Sequence, residues 1–253
     1  MSLLEIKGLS KFFGGLHAVQ NLEYTVESGK VHSIIGPNGA GKTTLFNIVT
    51  GVYPPSSGKA IFEAQDITGL PIHRLASLGL SRSFQNLQVF YNMTVMENVM
   101  VGRHRHCQKG FLQSLLHTPS ITRSDEEARH QAAELLAWVG LEAYATAHAN
   151  SLPYGALKRM EIARAMASEP KLLLLDEPAA GLNNKETQEI DELIRQISNR
   201  GVTVILVEHD MRLVMGVSDH ILVMDHGQKL AEGSAEEIRE NPNVIAAYLG
   251  SGA

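Results

Sequence analysis

Cysteine is almost missing from this chain: Cys107 stands alone, so no internal disulfide can form, and with no ligand cluster around it a zinc or iron site is unsupported. No stretch approaches the roughly 18 apolar residues of a membrane span. The opening MSLLEIKGLSKFF carries Glu5 and Lys7 where a signal peptide would need its apolar core, so the chain is expected to stay in the cytosol and to need another protein to anchor it at a membrane. Positive charge is also short, 22 Lys and Arg against 27 Asp and Glu for a formal net charge of -5. That balance offers no global attraction to a phosphate backbone and speaks against a nucleic-acid binder. No long internal repeat is visible. What is present, 253 residues with 44% hydrophobic and 19% charged content, suffices for a packed core without metal or disulfide staples.

Apolar and β-branched runs predict strands at Leu3–Leu9, Val31–Ile35 and Lys59–Ile67, with a helix over Thr43–Val49 that stops near Gly51 and the breaker pair Pro54-Pro55. From Thr94 to Ser168 the texture turns helical. Ser124–Val139 combines an acidic first turn with apolar spacing at Ala128, Ala132, Leu135, Leu136 and Val139, as an amphipathic helix requires. Residues 103–123 lack a clean period and read as a surface excursion whose basic start, Arg103 to His106, is a solvated helix end. Alternation then returns, with apolar strands at Lys171–Asp176 and Val202–Val207 flanking a helix at Lys185–Ser198. Continuous apolar strands separated by helices predict a parallel sheet covered on both faces. The tail has a strand at Ile221–Asp225, a turn at His226-Gly227 and short helices at Ala235–Glu240 and Val244–Tyr248.

Gly36-Pro37-Asn38-Gly39-Ala40-Gly41-Lys42-Thr43 matches G-x-x-x-x-G-K-[ST], after a predicted strand and opening a predicted helix, the context this phosphate-binding motif requires. Its glycines let main-chain N–H groups turn toward phosphate oxygens at the positive end of a helix. Lys42 is placed to reach the β and γ phosphates, the Thr43 hydroxyl to coordinate Mg²⁺, and Thr44 to bond the α phosphate. Many phosphoryl-transfer chemistries share this loop, so other residues must choose the reaction. The apolar run Leu172–Leu175 ends in Asp176 and Glu177, where Asp176 can hold the Mg²⁺ shell and Glu177 can act on an attacking water. A kinase has no use for a water-activating glutamate. Asn184-Lys185-Glu186-Thr187 lacks the carboxylate that reads guanine, which disfavours a GTP switch.

With these motifs the chain resembles the nucleotide-binding subunits of ABC transporters over essentially its whole length. The resemblance also rests on Phe13 ahead of the first glycine pair, Gln85 after a short strand, the signature-like Leu152-Pro153-Tyr154-Gly155-Ala156, the loop Ala180-Gly181-Leu182-Asn183 and His209 after a late strand. It implies an α/β fold: a P-loop NTPase core of mainly parallel sheet with a β-rich N-terminal subdomain, residues 1–92 and 169–253, and an inserted α-helical signature subdomain, residues 93–168. It implies ATP and Mg²⁺ as ligands, with Phe13 stacking on adenine and Val19 packing beside it. Asn38, Gly39, Ala40, Gly41, Lys42, Thr43 and Thr44 would hold the phosphates, and Thr43, Gln85 and Asp176 the metal. Glu177, Gln85 and His209 would serve hydrolysis, His209 by bonding the γ phosphate. Tyr154, Gly155 and Ala156 would cap the γ phosphate of a second, head-to-tail ATPase subunit. They depart from the commoner Leu-Ser-Gly-Gly-Gln, so the cap rests on main-chain groups and a helix dipole.

The Tyr-Gly signature, Asp176 to Asn183, Glu208 to Met211 and Asn241 to Gly250 resemble the branched-chain amino-acid uptake branch. Membrane permease subunits and a substrate-binding protein are then the implied partners, and the cytoplasmic face of the membrane the implied location. Urea or amide uptake, lipopolysaccharide export and a soluble non-transport ATPase stay open as alternatives.

Overall fold

The computed structural model describes residues 1–83, 87–103 and 119–249. Its contacts divide the chain into two compact units, Met1–Arg82 with Lys171–Ala253, and Ser83–Pro170. The first junction falls earlier than the change of periodicity near Thr94 suggests.

The first unit opens with β1 (Ser2–Phe13) and β2 (Leu16–Glu27), paired antiparallel, and with β4 (Ser57–Phe62) and β5 (Gln65–Asp66) they form a sheet ordered β2-β1-β4-β5. No strand is predicted between Leu9 and Val31, yet β2 fills that interval. Its alternation is clean only from Leu22 to Glu27, because Asn21 sits at φ 42 where the register with β1 shifts, and such a bulge breaks the period-2 signal. The expected strand over Lys59–Ile67 is instead the β4–β5 hairpin, turned at Glu63 and Ala64 with φ 47 and 64.

The second sheet is ordered β10-β9-β3-β8-β7-β6. It is built from β3 (Val31–Ile35), β6 (Leu80–Arg82), β7 (Leu172–Asp176), β8 (Thr203–Val207), β9 (His220–Asp225) and β10 (Gln228–Gly233). All neighbours run parallel except the β9–β10 hairpin. Strands β3, β7 and β8 are buried along their whole length, as strands covered on both faces must be. Each fully buried leucine of β7 contributes roughly 1.5–3 kcal/mol. Strand β10 escapes prediction because its edge sequence QKLAEG has no apolar alternation.

The helices of this unit are α1 (Lys42–Val49), α2 (Ile72–Leu78), α6 (Asn184–Asn199), α7 (Met211–Val217), α8 (Ala235–Glu240) and α9 (Pro242–Leu249), numbered with those of the other unit in chain order. Helix α6 buries Ile190, Leu193, Ile194 and Ile197, the stripe a 3.6-residue period produces.

The second unit holds α3 (Val95–Val101), α4 (Pro119–Trp138) and α5 (Tyr154–Met166), packed on one another. Helix α4 begins before the predicted Ser124, and residues 104–118, with Cys107 among them, lie outside the described residues. Arg103 is not the solvated helix end expected: its guanidinium bonds Glu169 at 2.8 Å and its side chain is 11% exposed. Asn98, fully buried, accepts from the Phe90 amide and donates to the Phe90 and Thr94 carbonyls, each at 3.0 Å. That pins the loop on which Phe90 and Tyr91 stay exposed. No described helix is long and apolar enough to cross a membrane.

Candidate functional site

Strand register brings the phosphate loop, Asp176, Glu177 and His209 to one sheet edge. Val207 stands opposite Ile34 on one side and Asp176 on the other, so the loops leaving β3, β7 and β8 emerge side by side. In parallel α/β sheets that edge, beyond the carboxyl ends of the strands, is where ligands bind.

The loop after β3 has the backbone that its glycines permit. Gly36, Gly39 and Gly41 have φ 148, 80 and 99. A Cβ at Gly36 would lie 2.0 Å from the Met224 carbonyl oxygen, and one at Gly41 would lie 2.3 Å from that of Ala18. The Gly227 amide donates to the Ala40 carbonyl at 3.0 Å and the Gln20 amide to the Gly227 carbonyl at 2.7 Å, so the β9–β10 turn braces the loop. Asn38, Gly39 and Thr43 are exposed, Thr44 is half-buried and Ala40 is buried. Lys42 opens α1 and is 6% exposed, its Nζ donating to the Gly36 and Pro37 carbonyls at 2.6 and 2.9 Å. Burial holds this ammonium below its ordinary range, and the Glu177 carboxylate opposes the shift. A cation folded onto carbonyl oxygens inside such a loop is ready to exchange them for phosphate oxygens.

Glu177, just past β7, has φ 50 and donates its amide to the Val207 carbonyl at 2.9 Å. Its Oε1 meets His209 Nε2 at 2.9 Å. Two residues from separate strand ends thus meet side chain to side chain. Asp176, 3% exposed, has its Oδ2 2.7 Å from the Arg82 guanidinium, which also donates to Asn47 Oδ1 at 2.7 Å and Thr50 Oγ1 at 3.0 Å. A buried carboxylate and a threonine hydroxyl are hard oxygen donors of the kind Mg²⁺ takes alongside phosphate oxygens and water, so Asp176 and Thr43 fit that ion. Gln85, assigned to both metal and catalysis, lies outside the described residues.

Phe13 ends β1 with its ring 43% exposed, edge-on to Tyr53 at 5.6 Å between centroids. Lys11 Nζ lies 5.1 and 5.8 Å from the two rings. Phe13 is therefore open to a flat base. Val19 is not: it is fully buried in the core, and the expectation that it packs beside adenine is corrected, because its side chain points to the sheet interior rather than to solvent.

In the second unit Pro153 is the N-cap of α5, so Tyr154, Gly155 and Ala156 form its first turn, where main-chain N–H groups lack intrahelical partners. Tyr154 is 45% exposed with Lys158 Nζ 5.8 Å from its ring, while Gly155 and Ala156 are buried.

Sequence reasoning missed Arg82, whose partners come from α1 and β7, and Tyr248 on α9. Burial raises the Tyr248 phenol, and the Gly36 main chain, which bonds it, opposes that rise. Arg82 belongs to no local motif, and Tyr248, though inside the 241–250 segment that carries the resemblance, has nothing in its local pattern that points to Gly36.

Residues 19–180 match the family model described as ABC transporter, and residues 228–253 match that of the branched-chain amino acid ATP-binding cassette transporter. The chain is 50% identical over 249 residues to the high-affinity branched-chain amino acid transport ATP-binding protein BraF of Pseudomonas aeruginosa, covering 98% of each. Among solved structures, the ADP conformation of an ATP-binding cassette superposes with a TM-score of 0.86 at 32% identity, covering 99% of both chains. A dimeric post-hydrolysis cassette bound to ADP and Pi does so at 0.77 and 25%, covering 92% of this chain and 99% of that one. With the phosphate loop, the acidic strand end and this likeness along its whole length, the chain belongs to the ABC transporter family as one of its ATP-binding cassettes.

Proposed function

We propose that this cassette powers the import of branched-chain amino acids through a separate membrane permease, by hydrolysing ATP held between two cassettes arranged head to tail. The observation that carries the hydrolytic step is the 2.9 Å contact between Glu177 and His209 at the strand ends beside the Lys42 loop. The cargo assignment rests on the likeness to BraF and on the match of residues 228–253.

In this reading the loop amides and Lys42 bind the β and γ phosphates, and Phe13 stacks on the base. Thr43, Asp176 and Gln85 would hold Mg²⁺, which would supply charge neutralisation on the phosphates. Glu177 accepts a proton from the water as its oxygen bonds to the γ phosphorus; the bond from that phosphorus to the β–γ bridging oxygen breaks, leaving ADP and phosphate. His209 holds Glu177 in line and donates to the γ phosphate. Tyr154, Gly155 and Ala156 of the opposing cassette cap the same phosphate with main-chain groups. A substrate-binding protein delivers cargo to the permease.

Glu177→Gln is expected to lower turnover at least about 100-fold, while ATP still drives dimer formation in gel filtration. Undiminished hydrolysis would remove Glu177 from its role. Co-purification with a permease and vesicle uptake of labelled leucine test the cargo; uptake of a different solute overturns that assignment while leaving the ATPase intact.

A further inference from the structure

Glu208 lies between β8 and His209 and has no part in the mechanism above, yet it is 4% exposed and all its partners among the described residues are main-chain amides. Oε1 accepts from the Ala179 N–H at 2.9 Å. Oε2 accepts from the His209 N–H at 2.8 Å and, more weakly, from the Asp210 N–H at 3.5 Å. The first of these segments leaves β7 and the other leaves β8. Their last ladder bond is the Glu177 amide to the Val207 carbonyl; beyond it the two chains separate, and the Glu208 carboxylate spans the gap.

Burying a carboxylate is costly unless its lone pairs are filled, and here charge-assisted bonds from the backbone fill them. Ala179 is two residues past Glu177, and the Glu177 carbonyl in turn accepts from the Ala180 amide at 3.2 Å. The carboxylate therefore grips, on one side, the turn that sets where Glu177 points and, on the other, the backbone of His209. We infer that Glu208 is a positioning residue for hydrolysis: it keeps the Glu177 turn and His209 in register so that their side chains meet. This rests on the reading that these two handle the attacking water. Glutamine at this position is nearly isosteric but presents one oxygen and one NH₂, so one of the two amides must face a donor and lose its partner.

The test is a double-mutant cycle in the full chain assembled with its membrane partner. Glu208→Gln is expected to lower kcat about 10- to 100-fold with the KM for ATP within about twofold. In a His209→Ala background it is expected to add no further loss, because the Glu177–His209 meeting that it secures is already gone. An unchanged kcat, or a loss that multiplies with that of His209→Ala, overturns the proposal, since a residue that only supports the fold lowers turnover in either background. Should Glu208→Gln fail to fold, Glu208→Asp, which keeps both acceptors but is one methylene shorter, enters the same cycle with the same two outcomes. The His209 imidazole signals in nucleotide-free protein separate this proposal from the catalytic reading. A shift in Glu208→Gln supports the coupling even if His209→Ala proves fully active, and unmoved signals overturn it.

Discussion

Arg82 shows how much one residue can organise. Its side chain, 12% exposed, joins the buried Asp176 carboxylate to Asn47 of α1 and to Thr50 just past that helix, with the Phe46 ring 5.6 Å from the guanidinium. Removing one partner strips the other buried charge of this ion pair. Arg82→Leu is expected to destabilise the chain by roughly 3 kcal/mol, read as a lower denaturant midpoint. Gly36 is bound by space instead: with φ 148 and the Met224 oxygen where a Cβ would go, Gly36→Ala is expected to cost roughly 2–4 kcal/mol. It should also abolish binding of a fluorescent ATP analogue, whereas retained binding would mean that the loop can reshape. The glycine pattern of that loop was legible in sequence. The Met224 carbonyl that makes Gly36 obligatory was not, because it comes from β9, far along the chain.

At the scale of elements, what was legible tracks how strongly each segment's pattern is its own. Strand β3 and helix α8 have the bounds predicted, since a continuous apolar run and a short helix opened by Ser234 carry their signals locally. Strands β2 and β10 did not: a bulge interrupts one and the other is a polar edge, so partners rather than pattern make them strands. Helix α6 is specified twice, by its apolar stripe and by a capping box in which the Asn183 side chain accepts from the Lys185 and Glu186 amides while Glu186 accepts from the Asn183 amide. Asn183→Ala is expected to cost about 1 kcal/mol, lowering the melting temperature by about 2–4 °C in a chain of this size. An unchanged melting curve would show that packing alone holds the helix.

Across the whole molecule, the junction of the two sheets holds a buried polar cluster. The His32 ring, 1% exposed, bonds the Tyr24 hydroxyl and the Glu27 amide, each at 3.0 Å. It lies beside a polar cleft of about 410 Å³, lined also by Asp219, His220 and Glu232. Burial pushes the imidazole down to about 4, with the charge of His220 adding to the effect. In the unfolded chain the same group takes up a proton near pH 6.5. The unfolded state therefore binds more protons between about 6.5 and 4, so stability falls as pH drops through that window, by up to about 3 kcal/mol. Melting curves recorded from pH 7 to 5 are expected to show this slope, and His32→Gln to flatten it; an equal slope in both would place the titrating group elsewhere. By itself the sequence determined the phosphate loop, the acidic strand end and those strands and helices whose pattern is local, because backbone freedom at glycine, helix start signals and apolar runs act over a few residues. Only the tertiary structure decided that Val19 is core rather than ligand surface, that Glu177 meets His209, and that Glu208 spans two strand ends, because strand register brings together residues far apart in the chain.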